Sequence, residues 1–131
     1  MIELSDDAAS VEEFRALREA SGLGAFSVKA STIALANSLH GAWLRDDGGT
    51  LIGMGRIIGD GGCFAHVTDI AIKPAFQRQG FGTVIVAELM GWADQNLPKG
   101  CYISLIADPG AEKLYEKFGF QMRTGMSRSV A

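Results

Sequence analysis

Gly80 and Gly82 stand one residue apart in the stretch KPAFQRQGFGTV, residues 73–84. An apolar run ends at Ile72 before them, and another begins at Val84 after them. Where a loop enters a helix, free backbone N–H groups and the positive end of the helix dipole face the loop. Phosphates bind there, and glycines remove the side chains that would keep a pyrophosphate away. A plain strand-to-helix turn needs no more than the same two residues, so the pair alone leaves both readings open. Two familiar phosphate loops fail on spacing. A Walker A loop requires Lys after its last glycine, where this chain has Thr83-Val84. A dinucleotide fingerprint requires a third glycine at the position of Ile85, and an acidic residue near Ile103.

Thiol chemistry is the second possibility: Cys63 or Cys101 as nucleophile with His66 as base, in a hydrolase or thioesterase. A reactive thiolate wants a helix N-terminus or a neighbouring cation. Cys63 falls in a glycine-rich turn and Cys101 opens an apolar run, so neither has that setting. The two cysteines also lack CxxC spacing and make no disulfide framework.

The elements that would position these residues follow from periodicity. Ser10-Val-Glu-Glu13 has the form of a capping box, and Val11, Phe14 and Leu17 recur at helical spacing until Gly22 and Gly24. A second helix is predicted over 30–38, with Ile33 and Leu39 inward. Strand signals follow at 42–44, 51–58 and 64–72, separated by the turns RDDGGT and GDGG, which predicts an antiparallel meander. From Thr83, Ile85, Leu89 and Trp92 mark a helix that ends at Pro98 and Gly100. Residues 101–107 read as a strand buried on both faces, parallel to 64–72 because a helix separates the two. Asp108 as N-cap, Pro109 at N1 and Gly119 at the far end frame a last helix carrying Ala111, Leu114, Tyr115 and Phe118. Residues 120–130, divided by Gly125, read as two edge strands.

Loop and surroundings together resemble the GNAT superfamily of N-acetyltransferases. Gln77-Arg-Gln-Gly-Phe-Gly82 is similar to that family's Q/R-x-x-G-x-G/A motif, placed after a long strand and at the start of a long helix. LYEKFGF, residues 114–120, matches the family's closing signature of a tyrosine-bearing helix followed by Gly-Phe. The likeness is strong over 64–120 and weaker over the helical N-terminal quarter. It implies a single α/β domain over 1–131. The sheet would be mixed and twisted, of about six or seven strands, with helices on both faces. A V-shaped splay between the central parallel strands would hold acetyl-CoA, with no metal.

The resemblance also implies roles. Backbone N–H groups of Gln77, Arg78, Gln79, Gly80, Phe81, Gly82 and Thr83 would hold the pyrophosphate. Ile70, Ala71 and Ile72 would offer a strand edge to the pantetheine arm and an N–H to the developing oxyanion. Tyr115 would be the general acid toward the departing thiolate. Asp69 is the first candidate for general base and His66 the second. Strand alternation sets them on opposite faces, unless a bulge changes the parity. Asp108 stands near a position where relatives carry Asn beside the cofactor. Trp43, Phe26 and the loop 22–26 would line the acceptor side. The reaction would be direct attack of a primary amine, on a small molecule or a peptide. A non-catalytic acyl-CoA-binding or sensory module, or transfer of another short acyl group, is the alternative. Tail strands imply a homodimer.

Composition bounds the partners. The 131 residues are 47% hydrophobic and 21% charged with net charge −3, which is globular and too little basic for nucleic acid. The N-terminal MIELSDDAAS lacks the basic and apolar regions of a signal peptide, and no apolar run reaches a membrane span. The expectation is a cytoplasmic protein with free thiols.

Overall fold

The computed structural model describes residues 1–131. One sheet contains five strands in chain order: β1 (Glu3–Ser5), β2 (His40–Arg45), β3 (Leu51–Gly59), β4 (Phe64–Ile72) and β5 (Tyr102–Ser104). The first four are antiparallel, and β4 and β5 are parallel, so the sheet is mixed. Four helices accompany it: α1 (Val11–Ala20), α2 (Val28–Ala36), α3 (Phe81–Asn96) and α4 (Glu112–Glu116). The capping box is present, with Ser10 Oγ accepting from Glu13 N–H and the Glu13 carboxylate accepting from Ser10 N–H. No helix is long and apolar enough to cross a membrane.

Two cores lie on opposite faces of the sheet. Ile85, Val86, Leu89 and Ala93 of α3 pack with Ala42, Leu44, Ala65 and Val67. Phe14 and Leu17 of α1 pack with Trp43, Met54 and Ala71. Helix α3 lies directly on the β3 backbone. A Cβ at Gly55 would stand 2.6 Å from both Ile85 Cγ2 and Ile70 Cδ1, so glycine there admits the close approach. This seats the first turn of α3 at the end of β4.

Strand β4 changes face partway along. Ala65 and Val67 belong to the α3-side core, yet Ala71 belongs to the α1-side core and Ile70 and Ile72 pack on the α3 side. The register explains it: Met54 pairs with Ala71 but Arg56 with Thr68, so Asp69 and Ile70 together oppose Gly55. That is a β-bulge, and Asp69 takes a left-handed φ of 59° within it.

Several expectations are corrected. The sheet has five strands, not six or seven, because 120–130 forms none. The last backbone hydrogen bond of the chain is Phe120 N–H to Tyr115 O. The tail is poor in β-branched residues, and it leaves the outer edge of β5 unpaired. Only Tyr102–Ser104 of the 101–107 run is strand. Tyr102 and Ile106 are 52% and 67% exposed, because no helix covers that face of β5. The last helix begins at Glu112, with Ala111 rather than Asp108 before it. Gly110, at φ +93°, interrupts the helical run after Pro109. On α2 the expected inward Ile33 is exposed and Ser31 is buried instead. The segment VKASTIALA is apolar nearly all round, so periodicity gave it no direction. Trp43 is buried among the α1-side residues, and the little of it that is exposed lines a small cleft with Leu4, His40 and Glu88.

Candidate active site

The loop between β4 and α3 leaves its donors free. A single turn of 3₁₀ helix, Pro74–Phe76, closes with Gln77 N–H on Pro74 O. From Arg78 to Thr83, six consecutive backbone N–H groups have no acceptor in the protein, and the first helical bond is Val84 N–H to Gly80 O. Arg78 (φ 62°) and Gly80 (φ 87°) are both left-handed, which turns the chain into the helix. Around the Cβ position of Gly80 there is open space. Such successive free amides at a helix N-terminus form an anion-binding concavity. Side chains brace the loop from outside: Gln77 Nε2 donates to Ile72 O at 2.9 Å and Gln79 Nε2 to Ala75 O at 3.3 Å.

The edge of β4 beside this loop is unpaired. The parallel ladder joins Phe64 to Tyr102, Ala65 to Ile103 and His66 to Ser104, and stops there. β4 runs on to Ile72. Lys73 N–H reaches across to Ile52 O on β3. Alternation then turns Ala71 toward β3 and the N–H groups of Ile70 and Ile72 away from it, to the open side.

Tyr115 reaches this region through α4. Leu114 Cδ2 lies 3.5 Å from where a Gly82 Cβ would be, so α4 rests on the first turn of α3. Tyr115 is half-buried, edge-on to Phe120 at 6.1 Å between ring centroids. Burial, and then the charge of Asp108, raise its pKa, so the phenol keeps its proton at neutral pH. Asp108 is thereby within electrostatic reach of the phenol, although it caps no helix.

The two candidate bases have different settings. His66 Nδ1 lies 3.1 Å from Ser104 Oγ, across the parallel ladder. Burial lowers its pKa, which keeps the imidazole neutral and able to take a proton. Asp69 is 6% exposed, and both its oxygens are occupied by guanidinium groups. Arg56 Nε donates to Oδ2 at 2.8 Å with Nη2 in ion-pair contact at 2.7 Å, and Arg18 Nη1 donates to Oδ1. Sequence reasoning missed Arg18 and Arg56. Their partner was the one acidic residue in an apolar strand, which was the available signal.

A cleft of about 790 Å³ opens between β5, α4 and the tail. His66, Ser104 and Tyr115 line it; Asp69 and the loop 77–83 do not. The structure thus brings His66 and Tyr115 to one surface and leaves Asp69 out.

Comparisons with known proteins agree with this geometry. Residues 9–120 match the model of the Acetyltransferase (GNAT) family. An uncharacterized N-acetyltransferase of Pyropia yezoensis is 33% identical over 76 residues, covering 58% of this chain and 42% of that protein. One from Bacillus subtilis is 32% identical over 57 residues, covering 44% of this chain and 22% of that protein. The chain therefore spans less than half the length of the curated relatives it matches. Among solved structures, a probable acetyltransferase of unknown function from meticillin-resistant Staphylococcus aureus superposes with TM-score 0.91 at 36% identity, over 99% of this chain and 100% of that one. A GNAT family acetyltransferase from Streptococcus pneumoniae gives TM-score 0.79 at 25% identity, over 99% and 98%. With the family model matched over most of its length, and with a free-amide loop where that family's motif falls, this chain belongs to the GNAT family of acetyltransferases.

Proposed function

We propose that the protein is an N-acetyltransferase that moves the acetyl group of acetyl-CoA to a primary amine by direct attack. The observation that carries this is the run of six unpaired N–H groups at 78–83, beside an unpaired β4 edge and within α4's reach. The residues present fit the cosubstrate. The amides suit a pyrophosphate, and Gly80 and Gly82 let it approach. Past His66–Ser104 the unpaired β4 edge suits the amide-bearing pantetheine arm. Acetyl-CoA supplies an activated acyl carbon; the protein supplies donors, a base and an acid.

In this reading, the Ile70 and Ile72 N–H groups stabilise negative charge on the acyl oxygen as the amine attacks. Tyr115 donates its proton toward the sulfur as the C–S bond breaks. The amine's surplus proton passes to His66. We assign the Nδ1 proton of His66 to Ser104 Oγ, which leaves Nε2 as the acceptor. His66 stands four residues before Ile70, roughly 13 Å by strand rise, so water carries that proton. Asp69 drops from the role of base because both its oxygens are held by guanidinium. The loop 22–27 between α1 and α2 forms the acceptor side, where Leu23 and Phe26 are exposed.

Thiol release from acetyl-CoA, measured against primary amines, amino acids and peptides, tests the reading. Tyr115→Phe is expected to lower kcat roughly 100-fold, with acetyl-CoA binding retained. The low-pH limb of kcat/KM should fall below the ordinary histidine value and vanish in His66→Ala. CoA binding without turnover of any amine would make the protein a sensor. CoA seated away from 70–83 in a crystal would sink the proposal.

A further inference from the structure

The loop 21–27 has almost no apolar anchorage. Gly22 and Gly24 are left-handed with open space about them, and Leu23 and Phe26 are 37% and 57% exposed. Its amides are held by the end of α1, with Gly22 N–H on Glu19 O, Leu23 N–H on Arg18 O and Ala25 N–H on Glu19 Oε1, and its carbonyls are held by guanidinium donors. Arg18 Nε donates to Gly24 O at 2.7 Å, Arg18 Nη2 to Leu23 O at 3.1 Å, and Arg15 Nε to Phe26 O at 2.8 Å. The Arg18 guanidinium also lies 4.6 Å from the Phe26 ring centre. Its third nitrogen, Nη1, donates to Asp69, the buried bulge residue immediately before Ile70. A guanidinium is one rigid plane, so fixing Nη1 on Asp69 fixes where Nε and Nη2 hold the loop.

We propose that Arg18 is a positioning residue for the acceptor: locked by Asp69, it sets the Leu23–Phe26 segment at a fixed place relative to the β4 edge at Ile70. The inference rests on the acetyltransferase reading above, since that makes Ile70–Ile72 the acyl end of the site. Arg56 supplies an internal control. It grips the other oxygen of the same carboxylate, but its remaining hydrogen bonds go to Ala34 O and Ser38 Oγ, at the C-terminal end of α2, and not to the loop.

The test compares Arg18→Lys with Arg56→Lys. Lysine keeps the charge and loses the fork. Hydrogen exchange at amides 22–27, KM for an amine and KM for acetyl-CoA are measured on each, with tryptamine, spermidine and an alanyl tripeptide as the amines. For Arg18→Lys, exchange at 22–27 should speed up roughly tenfold. Its amine KM should rise roughly tenfold while its acetyl-CoA KM stays within about twofold. Arg56→Lys should leave loop exchange and amine KM at wild-type values even where it lowers the melting temperature. Should Arg18→Lys fold poorly, Arg18→Gln, a planar donor that leaves Asp69 paired with Arg56, carries the same expectations. Equal effects in the Arg18 and Arg56 variants, or an acetyl-CoA KM that rises with the amine KM, would overturn the proposal. If wild-type protein binds no CoA by calorimetry, the acetyltransferase reading fails and the acceptor claim falls with it. Loop exchange still reports in that case whether Arg18 holds the loop.

Discussion

Only two residues other than glycine have left-handed backbone, Asp69 at φ 59° and Arg78 at φ 62°, and their surroundings are opposite. Around Asp69 every polar group is satisfied: two guanidiniums take its oxygens, and their other nitrogens end on carbonyls or a hydroxyl. Around Arg78 the backbone donors are free, since its amide and the next five have no partner in the chain. Both positions hold a conformation that costs about 1 kcal/mol or more. At Asp69 the fold itself compensates that cost. At Arg78 the Gln77 and Gln79 side chains brace the loop but leave its amides free, and in the acetyltransferase reading those amides await the cosubstrate's phosphates. The contrast separates a strained residue whose side chain is fully paired from one whose backbone donors are left free.

The largest expected effect breaks the closed region. Asp69→Ala removes the carboxylate and leaves two guanidiniums buried without their counter-charge, which should cost about 3–5 kcal/mol. A urea titration reads this as a lowered midpoint with little change in slope. The open region has no such partner to lose, so no alanine substitution between Arg78 and Phe81 should approach that cost. If Asp69→Ala is nearly neutral, the ion pairs are not what stabilises the bulge.

A second closed pair sharpens the same point through pH. The Arg45 guanidinium, bonded to Glu13, is the main cause that holds the Glu13 carboxyl at about 2 instead of 4.5. A folded value below the unfolded one means the unfolded state binds protons first as pH falls. The pair's stabilisation is therefore whole above pH 4.5 and disappears toward pH 2. Its size should be below that of Asp69, because the Glu13 side chain is 35% exposed and solvent screens it. In Glu13→Gln, melting temperature should lose this part of its acid slope.

The same contrast shows what a sequence makes legible. The meander, the α3 stripe and the capping box are local: turn residues, period and side-chain spacing specify them, and all three are present. The glycine loop was legible for a related reason, since its donors belong to a helix start that Ile85 and Leu89 already mark. The closed region was not. Alternation sends Asp69 away from His66, and only the extra residue opposite Gly55 brings it round to meet Arg18, 51 positions earlier. No local pattern announces a bulge, because it follows from how two strands register. The over-read strands at 101–107 and 120–130 have the converse origin. Apolar residues suggested burial at 101–107, but Tyr102 and Ile106 stay exposed, and the edge strands read on either side of Gly125 do not form.

Two smaller effects probe the open region directly. Gly82 has ordinary backbone, and an added Cβ would meet only Leu114 Cδ2 at 3.5 Å. Gly82→Ala should therefore raise stability slightly, by about 0.5–1 kcal/mol, as alanine does in a helix. The same methyl stands where a phosphate would approach the free amides. Calorimetry should show CoA affinity falling about tenfold, near 1.4 kcal/mol, in a protein that melts no lower than wild type. A variant that binds CoA as before would mean the pyrophosphate does not contact this turn.

Arg78→Gly isolates the strain itself. Its left-handed backbone suits glycine, while glycine also adds freedom to the unfolded chain. These oppose each other, so stability should change by less than about 1 kcal/mol, read from the urea midpoint. The informative result is the comparison with and without ligand. If Arg78 keeps its conformation in order to present amides 78–83, glycine at this position lets the free loop wander, and CoA must then order it. CoA binding should become weaker and more exothermic, with a larger entropic penalty, whereas the melting temperature without ligand hardly moves. Loss of the arginine's charge alone would weaken binding by at most about 1 kcal/mol and would do so less at high salt. Weakening that persists unchanged in high salt therefore points to backbone order and not to charge, and assigns the strain at Arg78 to the ligand.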